Sequence, residues 1–171
     1  YAITPSGLTA TNYDLSFVSG TLTVNKAALV ATATAASKTY DGLAYAGGNG
    51  VTYSGFVNSE TASVLGGTLS YGGTSQGAVN VGSYVIAPSG KTSANYDISY
   101  LNGTLTVGKA ALTVIATDAT KTYDGLAYSG GAGVSYSGFV HSETASVLGG
   151  SLAYSGTSQG AKNVGSYVLT P

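Results

Sequence analysis

The stretch Lys38-Thr39-Tyr40-Asp41-Gly42-Leu43-Ala44-Tyr45 organises this sequence, because it returns unchanged at residues 121–128. The two copies start at residues 38 and 121, so the period is 83 residues. The same offset carries Asn12-Tyr13-Asp14 to residues 95–97, with no insertion between the copies. A fixed period indicates a repeat architecture in which each unit contacts its neighbours. We therefore predict tandem, end-to-end modules with an 83-residue period.

This period divides the chain into three predicted segments. Residues 1–28 match residues 84–111, so we expect them to be the C-terminal strands of a preceding module. Residues 29–111 form one complete repeat module. Residues 112–171 repeat the front of that module and form an incomplete repeat module that lacks its last strands.

Two interpretations of these ends stay open. The chain is a window on a longer continuous polypeptide, or separate subunits join head to tail because residues 1–28 of one chain add the missing strands to residues 112–171 of the next. Both interpretations give a filament. The expected partners are therefore neighbouring modules or identical subunits.

The composition excludes several classes of function. Charged residues are 8% of the chain and the formal net charge is −1, so neither a basic face for nucleic acid nor a polybasic membrane anchor is expected. There is no cysteine, which rules out disulfides and thiolate metal sites. No apolar run approaches the roughly 18 to 20 residues of a membrane helix, so no membrane insertion is expected. With 43% hydrophobic residues, the chain is nevertheless predicted to fold.

Alternating patterns predict β-strands. Apolar side chains occupy every second position from Tyr13 to Phe17 and again from Tyr96 to Tyr100, so each of these strands is expected to bury one face. Asn102-Gly103 lies between two strand patterns and predicts a tight hairpin turn. Frequent glycine-containing turns between short strands predict a mainly β fold.

A further alternating pattern runs from Leu22 to Thr34 and, one period later, from Leu105 to Ala116. It predicts a long strand, or two strands nearly in line, that crosses from one module to the next. We place the module boundaries within these patterns, at Lys26 and Lys109.

Two architectures fit these elements. The one helical candidate extends from Ser59 to Leu65, where Ser59 could cap the helix, Glu60 favours its first turn and Gly66 could end it. A β-grasp-like sheet wrapped on this short helix is the interpretation we favour. An immunoglobulin-like β-sandwich is the alternative, since Gly82-Ser83-Tyr84 is similar to a tyrosine-corner strand.

The centre of the repeated stretch predicts a structural turn at the end of a strand. We expect the tyrosine to pack inward, the aspartate to bind amides of the turn and the glycine to adopt positive φ. A calcium site is disfavoured, because a hard cation needs about six or more oxygen ligands and carboxylates are scarce. The residues concerned are Tyr40, Asp41 and Gly42 with their copies Tyr123, Asp124 and Gly125.

The sequence offers no catalytic, metal or cofactor site. His141 is the only histidine and its counterpart one period earlier is Asn58, so a Ser-His-Asp triad could work in one copy only. No Gly-x-Gly-x-x-Gly or phosphate-loop pattern occurs. We therefore expect no catalytic residue and no cofactor, and we predict that the chain is not an enzyme.

Three motifs carry a resemblance to a known family: Lys-Thr-Tyr-Asp-Gly at 38–42, Tyr-Ser-Gly-Phe-Val-Asn-Ser-Glu-Thr-Ala-Ser-Val-Leu at 53–65, and Asn-Tyr-Asp-Ile-Ser-Tyr-Leu-Asn-Gly-Thr-Leu-Thr-Val at 95–107. They resemble the YDG-type and MBG-type repeat domains of large bacterial surface proteins, including filamentous-haemagglutinin-like adhesins exported by two-partner secretion. The resemblance covers essentially the whole chain. It implies an exported, extracellular and non-enzymatic role in long repeat arrays at the bacterial cell surface.

Two functions follow from this organisation. The first is structural, with modules stacked end to end as the stalk or filament of an extracellular adhesin. The second is a glycan- or surface-binding module that is repeated for avidity, with host or surface glycans as partners. This second function predicts exposed aromatic clusters in the same loop of every module.

Overall fold

The fold is mainly β, which confirms the predicted class. The computed structural model describes all residues 1–171, and its only helical segments are two single 3-10 turns, Ala62–Val64 and Ala145–Val147. We refer to residues 29–111 as the first copy and to residues 112–171 as the second copy. In chain order the strands are β1 (Ala2–Ile3), β2 (Gly20–Thr21), β3 (Ala27–Ala33), β4 (Ala36–Thr39), β5 (Val51–Ser54), β6 (Ser70–Gly72), β7 (Gly82–Ser89), β8 (Tyr96–Leu101), β9 (Gly103–Gly108), β10 (Thr113–Ala116) and β11 (Val134–Ser137).

The first copy is built around a parallel pair of long segments. Ala27 lies opposite Tyr96 in the β3–β8 pair, and Ala36 lies opposite Leu105 in the β4–β9 pair, a separation of 69 residues in both cases. Residues 27–39 therefore run beside residues 96–108 in one register. The first halves of these two segments, β3 and β8, belong to a three-stranded sheet of order β5-β3-β8. Their second halves, β4 and β9, belong to a four-stranded sheet of order β4-β9-β7-β6.

The predicted hairpin at Asn102-Gly103 is wrong, because β8 and β9 do not pair with each other. Each pairs in parallel with an earlier strand, and the chain passes at this point from one sheet to the next. A Cβ atom on Gly103 would lie 2.7 Å from the carbonyl oxygen of Ala33. Glycine is needed here for the close approach of two backbones, which produces the same sequence signal as a turn.

The predicted helix from Ser59 to Leu65 is also wrong in its start and its type. Asn58 and Ser59 have φ values of 51° and 59°, and Glu60 N donates to Val57 O at 3.0 Å, which defines a type I′ turn. One 3-10 turn follows, and its N-cap is Thr61. Two successive left-handed residues are incompatible with a right-handed helix, so Ser59 cannot serve as its cap.

Two hydrophobic clusters hold the first copy together. One lies where β4, β7 and β9 meet; it buries Ile86, Leu105 and Val107 and is flanked by half-buried tyrosines. The other joins β3 to β8 and to the loop after the 3-10 turn, with Leu29, Leu65 and Tyr96 at its centre. Both clusters depend on the parallel pair, because its strands supply Leu29, Tyr96, Leu105 and Val107.

The predicted strand from Tyr13 to Phe17 does not form, although its copy is β8. Tyr13 and Leu15 are exposed. β8 pairs with β3, 69 residues earlier, and residues 13–17 have no such partner among residues 1–171. The alternating pattern specifies which face is apolar, but a strand needs a neighbour to satisfy its backbone groups.

The patterns across the module boundaries form separate strands. β2 ends at Thr21 and β3 begins at Ala27, while β9 ends at Gly108 and β10 begins at Thr113. Lys26 and Lys109 lie between these strands. The single long strand is therefore wrong at both boundaries. Two successive strands, β9 and β10, occupy the second pattern, whereas only β3 lies within the first pattern, Leu22 to Thr34.

The second copy repeats part of the first. β11 and the second 3-10 turn lie one period after β5 and the first 3-10 turn, and β10 pairs antiparallel with β11 as β3 does with β5. The copies of β4 and β7 are not strands, although an isolated bridge joins Ser155 to Thr170.

Candidate functional site: the contact between the two copies

A compact turn follows β4, and we name residues 38–43 the Tyr-Asp-Gly turn. Asp41 Oδ1 lies 2.7 Å from Lys38 Nζ and accepts the N–H of Leu43 at 2.9 Å. Lys38 Nζ also donates to the carbonyl oxygen of Leu43 at 2.7 Å. Gly42 adopts a φ of 74°, which a residue with a Cβ rarely does. Asp41 and Lys38 therefore stabilise the turn by binding each other and the backbone N–H and carbonyl oxygen of Leu43.

The second Tyr-Asp-Gly turn, residues 121–126, has the same geometry. Asp124 Oδ1 lies 2.8 Å from Lys121 Nζ and accepts from Leu126 N at 2.9 Å, and the φ of Gly125 is 75°. The tyrosines differ. Tyr40 is half-buried against the core of the first copy, whereas Tyr123 is 64% exposed. The turn itself is thus a local structure, and the position of its tyrosine depends on what packs beside it.

Tyr40 contacts a second element, residues 140–143, which we name the glutamate turn of the second copy. His141 and Ser142 have φ values of 51° and 60°, and Glu143 N donates to Val140 O at 3.0 Å, so this is also a type I′ turn. The hydroxyl of Tyr40 donates to Glu143 Oε1 at 2.5 Å. Gly42 faces His141 so closely that a Cβ on Gly42 would overlap the histidine side chain.

The first copy contains the same glutamate turn, residues 57–60, with a different partner. The hydroxyl of Tyr96 donates to Glu60 and accepts the N–H of Val57 at 3.1 Å, so β8 of the same copy holds the turn. Glu60 and Glu143 are the only glutamates of the chain. Each accepts a tyrosine hydroxyl, but Glu60 is held within its own copy and Glu143 is held by the preceding one.

These contacts shift the acidity of the groups involved. The hydrogen bond to Glu143 raises the pKa of Tyr40 above its usual value, and partial burial adds to the effect. The hydrogen bond to Glu60 raises the pKa of Tyr96 in the same way. The Lys38 ammonium and the Leu43 amide lower the pKa of Asp41 below its usual range, and their copies do the same for Asp124. Both Tyr-Asp-Gly turns therefore favour an ionised aspartate, and the hydrogen bonds to glutamate favour the neutral forms of Tyr40 and Tyr96.

The Tyr-Asp-Gly turn was among the predicted site residues, whereas Glu60, Glu143 and Tyr96 were not. A signal was present, since a chain with so few charges places its two glutamates 83 residues apart. At the boundaries, Lys26 Nζ donates to the carbonyl oxygen of Ser93 at 2.9 Å, whereas Lys109 is exposed. Lys26 thus joins the segment before β3 to the segment before β8.

No group of three or more histidine, cysteine, aspartate or glutamate side chains comes together in a way that could hold a metal ion. None of the helical segments has the length and apolar character that a membrane crossing requires.

The chain thus belongs to the mainly β class of proteins, and a turn of its first copy contacts a turn of its second copy. The chain belongs to the family of MBG domains of the YGX type, whose family model matches residues 29–106 and 112–171, more than half of the chain. This confirms the family suggested by the sequence motifs and is consistent with a repeat module of surface or adhesin type. No curated protein and no solved structure matched the chain.

Proposed function

We propose that this chain is a structural repeat segment of an extracellular bacterial adhesin or filament, in which 83-residue modules assemble end to end as a stalk or spacer. Its residues set the geometry between modules and carry out no chemical reaction. Family membership supports this proposal, because an MBG domain is consistent with a surface-type repeat module.

The observation that carries the proposal is the contact from Tyr40 and Gly42 to Glu143 and His141. A spacer must transmit a defined direction from one module to the next, which a flexible tether cannot do. The Tyr40 hydrogen bond joins residues 103 positions apart in the chain. It therefore limits how the second copy can turn relative to the first.

We also propose that the module is β-grasp-like, with its first and last strands as a parallel pair. Support comes from the single register of residues 27–39 beside residues 96–108. An immunoglobulin-like sandwich is built from antiparallel sheets, so this pair favours the first architecture. Tyr84 nevertheless donates its hydroxyl to Asn80 O at 2.8 Å, which is the hydrogen bond of a tyrosine corner.

The proposed role is non-enzymatic because the carboxylates of these turns already serve the structure. Asp41 binds Lys38, Glu60 binds Tyr96, and Glu143 binds Tyr40. Catalysis needs a nucleophile, a base and a stabilising group that converge on one reacting atom. Here the acidic groups are instead distributed over separate turns.

A scattering experiment tests the stalk. Polypeptides with increasing numbers of modules should show a maximum dimension that grows in proportion to module number, as measured by small-angle X-ray scattering. Replacing every copy of Tyr40 by phenylalanine should lower this growth towards the square-root law of a flexible chain. Square-root growth in the unmodified polypeptides would contradict the proposal. A second experiment tests the proposed extracellular location. A protease added to intact cells that produce the protein should cleave the repeats, because it reaches only what lies outside the cell.

Glycan binding is the second candidate, and one observation weighs against it. A module repeated for avidity should expose the same aromatic side chain in every copy, yet Tyr40 is half-buried while Tyr123 is exposed. Binding of the chain to a glycan array, lost on Tyr123→Ala, would favour this candidate over the stalk.

A further inference from the structure

The chain continues on both sides of the first copy, so a pull along the polypeptide reaches this module through its first and last strands. The first strand, β3, begins at Ala27, and the last strand, β9, ends at Gly108. Residues 1–26 precede these strands and residues 109–171 follow them. Ala27 and Gly108 are therefore the points at which tension along the proposed stalk enters and leaves the module.

These two points lie at opposite ends of the parallel pair formed by residues 27–39 and 96–108. Ala27 begins one segment and Gly108 ends the other, and the two segments run side by side in the same direction. A pull on both points therefore drives the segments past each other along their length. The hydrogen bonds of the pair cross from strand to strand, so this shear loads all of them together.

Hydrogen bonds join the two segments from end to end. Where the pair begins, the N–H of Ala27 donates to Asn95 O at 2.9 Å. Where the pair ends, the N–H of Tyr40 donates to Gly108 O at 2.7 Å. Six residue pairs are in register between β3 and β8, and four are in register between β4 and β9. A pull along the strands cannot open these bonds one after another from an end, so the barrier to sliding includes the whole ladder.

Side-chain packing opposes the same movement. Leu105 and Val107 of β9 are buried in the core, whereas Thr104 and Thr106 are exposed on the opposite face of the strand. A slip of one residue exchanges the two faces of a strand, so it would expose both apolar side chains and bury both hydroxyls. Both changes are unfavourable, because apolar groups enter water and polar groups lose it. The core therefore opposes the first step of sliding together with the ladder.

Neighbouring strands and two side chains hold the same segments. β3 is also paired with β5, and β9 is also paired with β7. At the end where the pull enters, Lys26 Nζ donates to Ser93 O at 2.9 Å. Within the β3–β8 pair, Ser99 Oγ donates to Leu29 O at 3.4 Å. Removal of either segment from the module therefore breaks the parallel ladder and one antiparallel ladder as well.

We propose that the parallel pair is a mechanical clamp, which keeps the module folded when the stalk is under tension. The clamp depends on direction. Tension between Ala27 and Gly108 meets the whole ladder in shear, whereas a pull that separates Ala27 from Asn95 opens the pair from one end and breaks its bonds in sequence. This inference rests on the proposed function, because a stalk that connects two attached bodies is the setting in which such tension arises.

Single-molecule force spectroscopy of the full 171-residue chain tests the clamp. The chain contains no cysteine, so two introduced cysteines define the points at which it is held. Asn25→Cys with Lys109→Cys pulls the pair in shear. Asn25→Cys with Asn95→Cys is the matched control, because it pulls apart two neighbouring ends of the same segments and unzips them. All three replaced side chains are exposed, and residues outside the tethers are not stretched in either experiment.

We expect a higher unfolding force in shear than in unzipping at the same pulling speed. The ratio should be at least about three, because forced unfolding reports the barrier to unfolding and only shear places the whole ladder on that barrier. The length of chain released identifies each event. The 84 residues from position 25 to position 109 extend to about 300 Å, and the 70 residues from position 25 to position 95 extend to about 250 Å.

Gly103→Ala tests the contact between the segments within the clamp. The added Cβ would lie 2.7 Å from Ala33 O and would force the two segments apart in the middle of the pair. It should lower the force in shear and leave the unzipping force nearly unchanged, because unzipping starts at Ala27 and Asn95. Gly20→Ala makes the same change in the earlier copy of this sequence, outside the tethers, and should alter neither force.

Equal forces in the two directions would overturn the proposal, and this comparison does not require Gly103→Ala to fold. Urea unfolding that matches the unmodified chain shows that the cysteine variants are folded before they are pulled. Failure of the clamp is distinguishable from failure of the stalk. Equal forces, in polypeptides whose maximum dimension still grows in proportion to module number in scattering, remove the clamp and leave the stalk in place.

Discussion

At the scale of single residues, this protein uses its few charges to shape turns. Asp41 and Lys38 close the Tyr-Asp-Gly turn, and Glu143 receives the hydroxyl of Tyr40 from the neighbouring copy. The ion pair is partly exposed, and exposed pairs contribute little to global stability. Their effect is geometric, since they hold the turn in the one conformation that presents Tyr40 to the glutamate turn.

The two copies of the ion pair should titrate independently. Lys38→Met should raise the titration midpoint of the Asp41 carboxyl towards its ordinary value and leave Asp124 unchanged, because Lys38 is the main cause of the lowered pKa. Lys121→Met should do the reverse. NMR of the side-chain carboxyl carbons measures both midpoints in one sample. If both midpoints moved in either variant, the two turns would be coupled.

The sign of the pH dependence follows from the same contact. The pKa of Asp41 is lower in the folded chain than in the unfolded one, so its stabilisation is present above the unfolded pKa of about 3.9 and is lost as pH falls through the folded pKa. Tyr40 behaves oppositely, since its pKa is raised. Its stabilisation is present below the unfolded pKa of about 10 and is lost as pH rises through the folded pKa.

Alanine at the two turn glycines should separate the cost of backbone strain from that of the contact between copies. Gly42→Ala and Gly125→Ala both force alanine into a left-handed conformation, at about 1–2 kcal/mol each. Only Gly42 faces His141, whereas a Cβ on Gly125 meets no atom within 4 Å. We expect Gly42→Ala to lower the free energy of unfolding by roughly 1 kcal/mol more than Gly125→Ala does, because the added Cβ overpacks against His141. Urea unfolding of the two variants measures the difference. Equal losses would show that the contact does not stabilise the chain.

At the scale of the elements, the parallel pair is the central feature. Residues 27–39 and 96–108 lie in both sheets of the first copy, and they supply the centres of both hydrophobic clusters. Parallel neighbours need a long connection, and here the connection contains β5, β6 and β7. The first copy is therefore complete only when its last strand has returned to its first.

Gly103 provides a test of this pairing. Gly103→Ala places a Cβ 2.7 Å from Ala33 O, and we expect it to lower the free energy of unfolding by about 1–3 kcal/mol. The control is Gly20→Ala in the earlier copy of the same sequence, where a Cβ meets no atom within 4 Å. It should change stability little. Urea unfolding of the two variants gives the comparison, and a neutral Gly103→Ala would contradict the close approach of the two segments.

At the scale of the whole molecule, near-identical copies make strands interchangeable. Residues 20–24 and 103–107 have the same sequence, so any site that accepts one accepts the other. Repeat proteins gain stability from contacts between neighbouring units, and exchange of elements between units is a known hazard of such chains.

The amino-acid sequence by itself determined the 83-residue period, the mainly β class and the family, together with the local form of the Tyr-Asp-Gly turn. The period follows directly from comparison of the two copies, and the turn depends on contacts within a few residues, which a short motif specifies. Only the tertiary structure decided that the chain passes between sheets at Asn102-Gly103 and that Glu143 binds Tyr40. Each of these depends on a segment distant in the sequence, because a strand or a carboxylate takes whichever partner the assembled sheets bring to it.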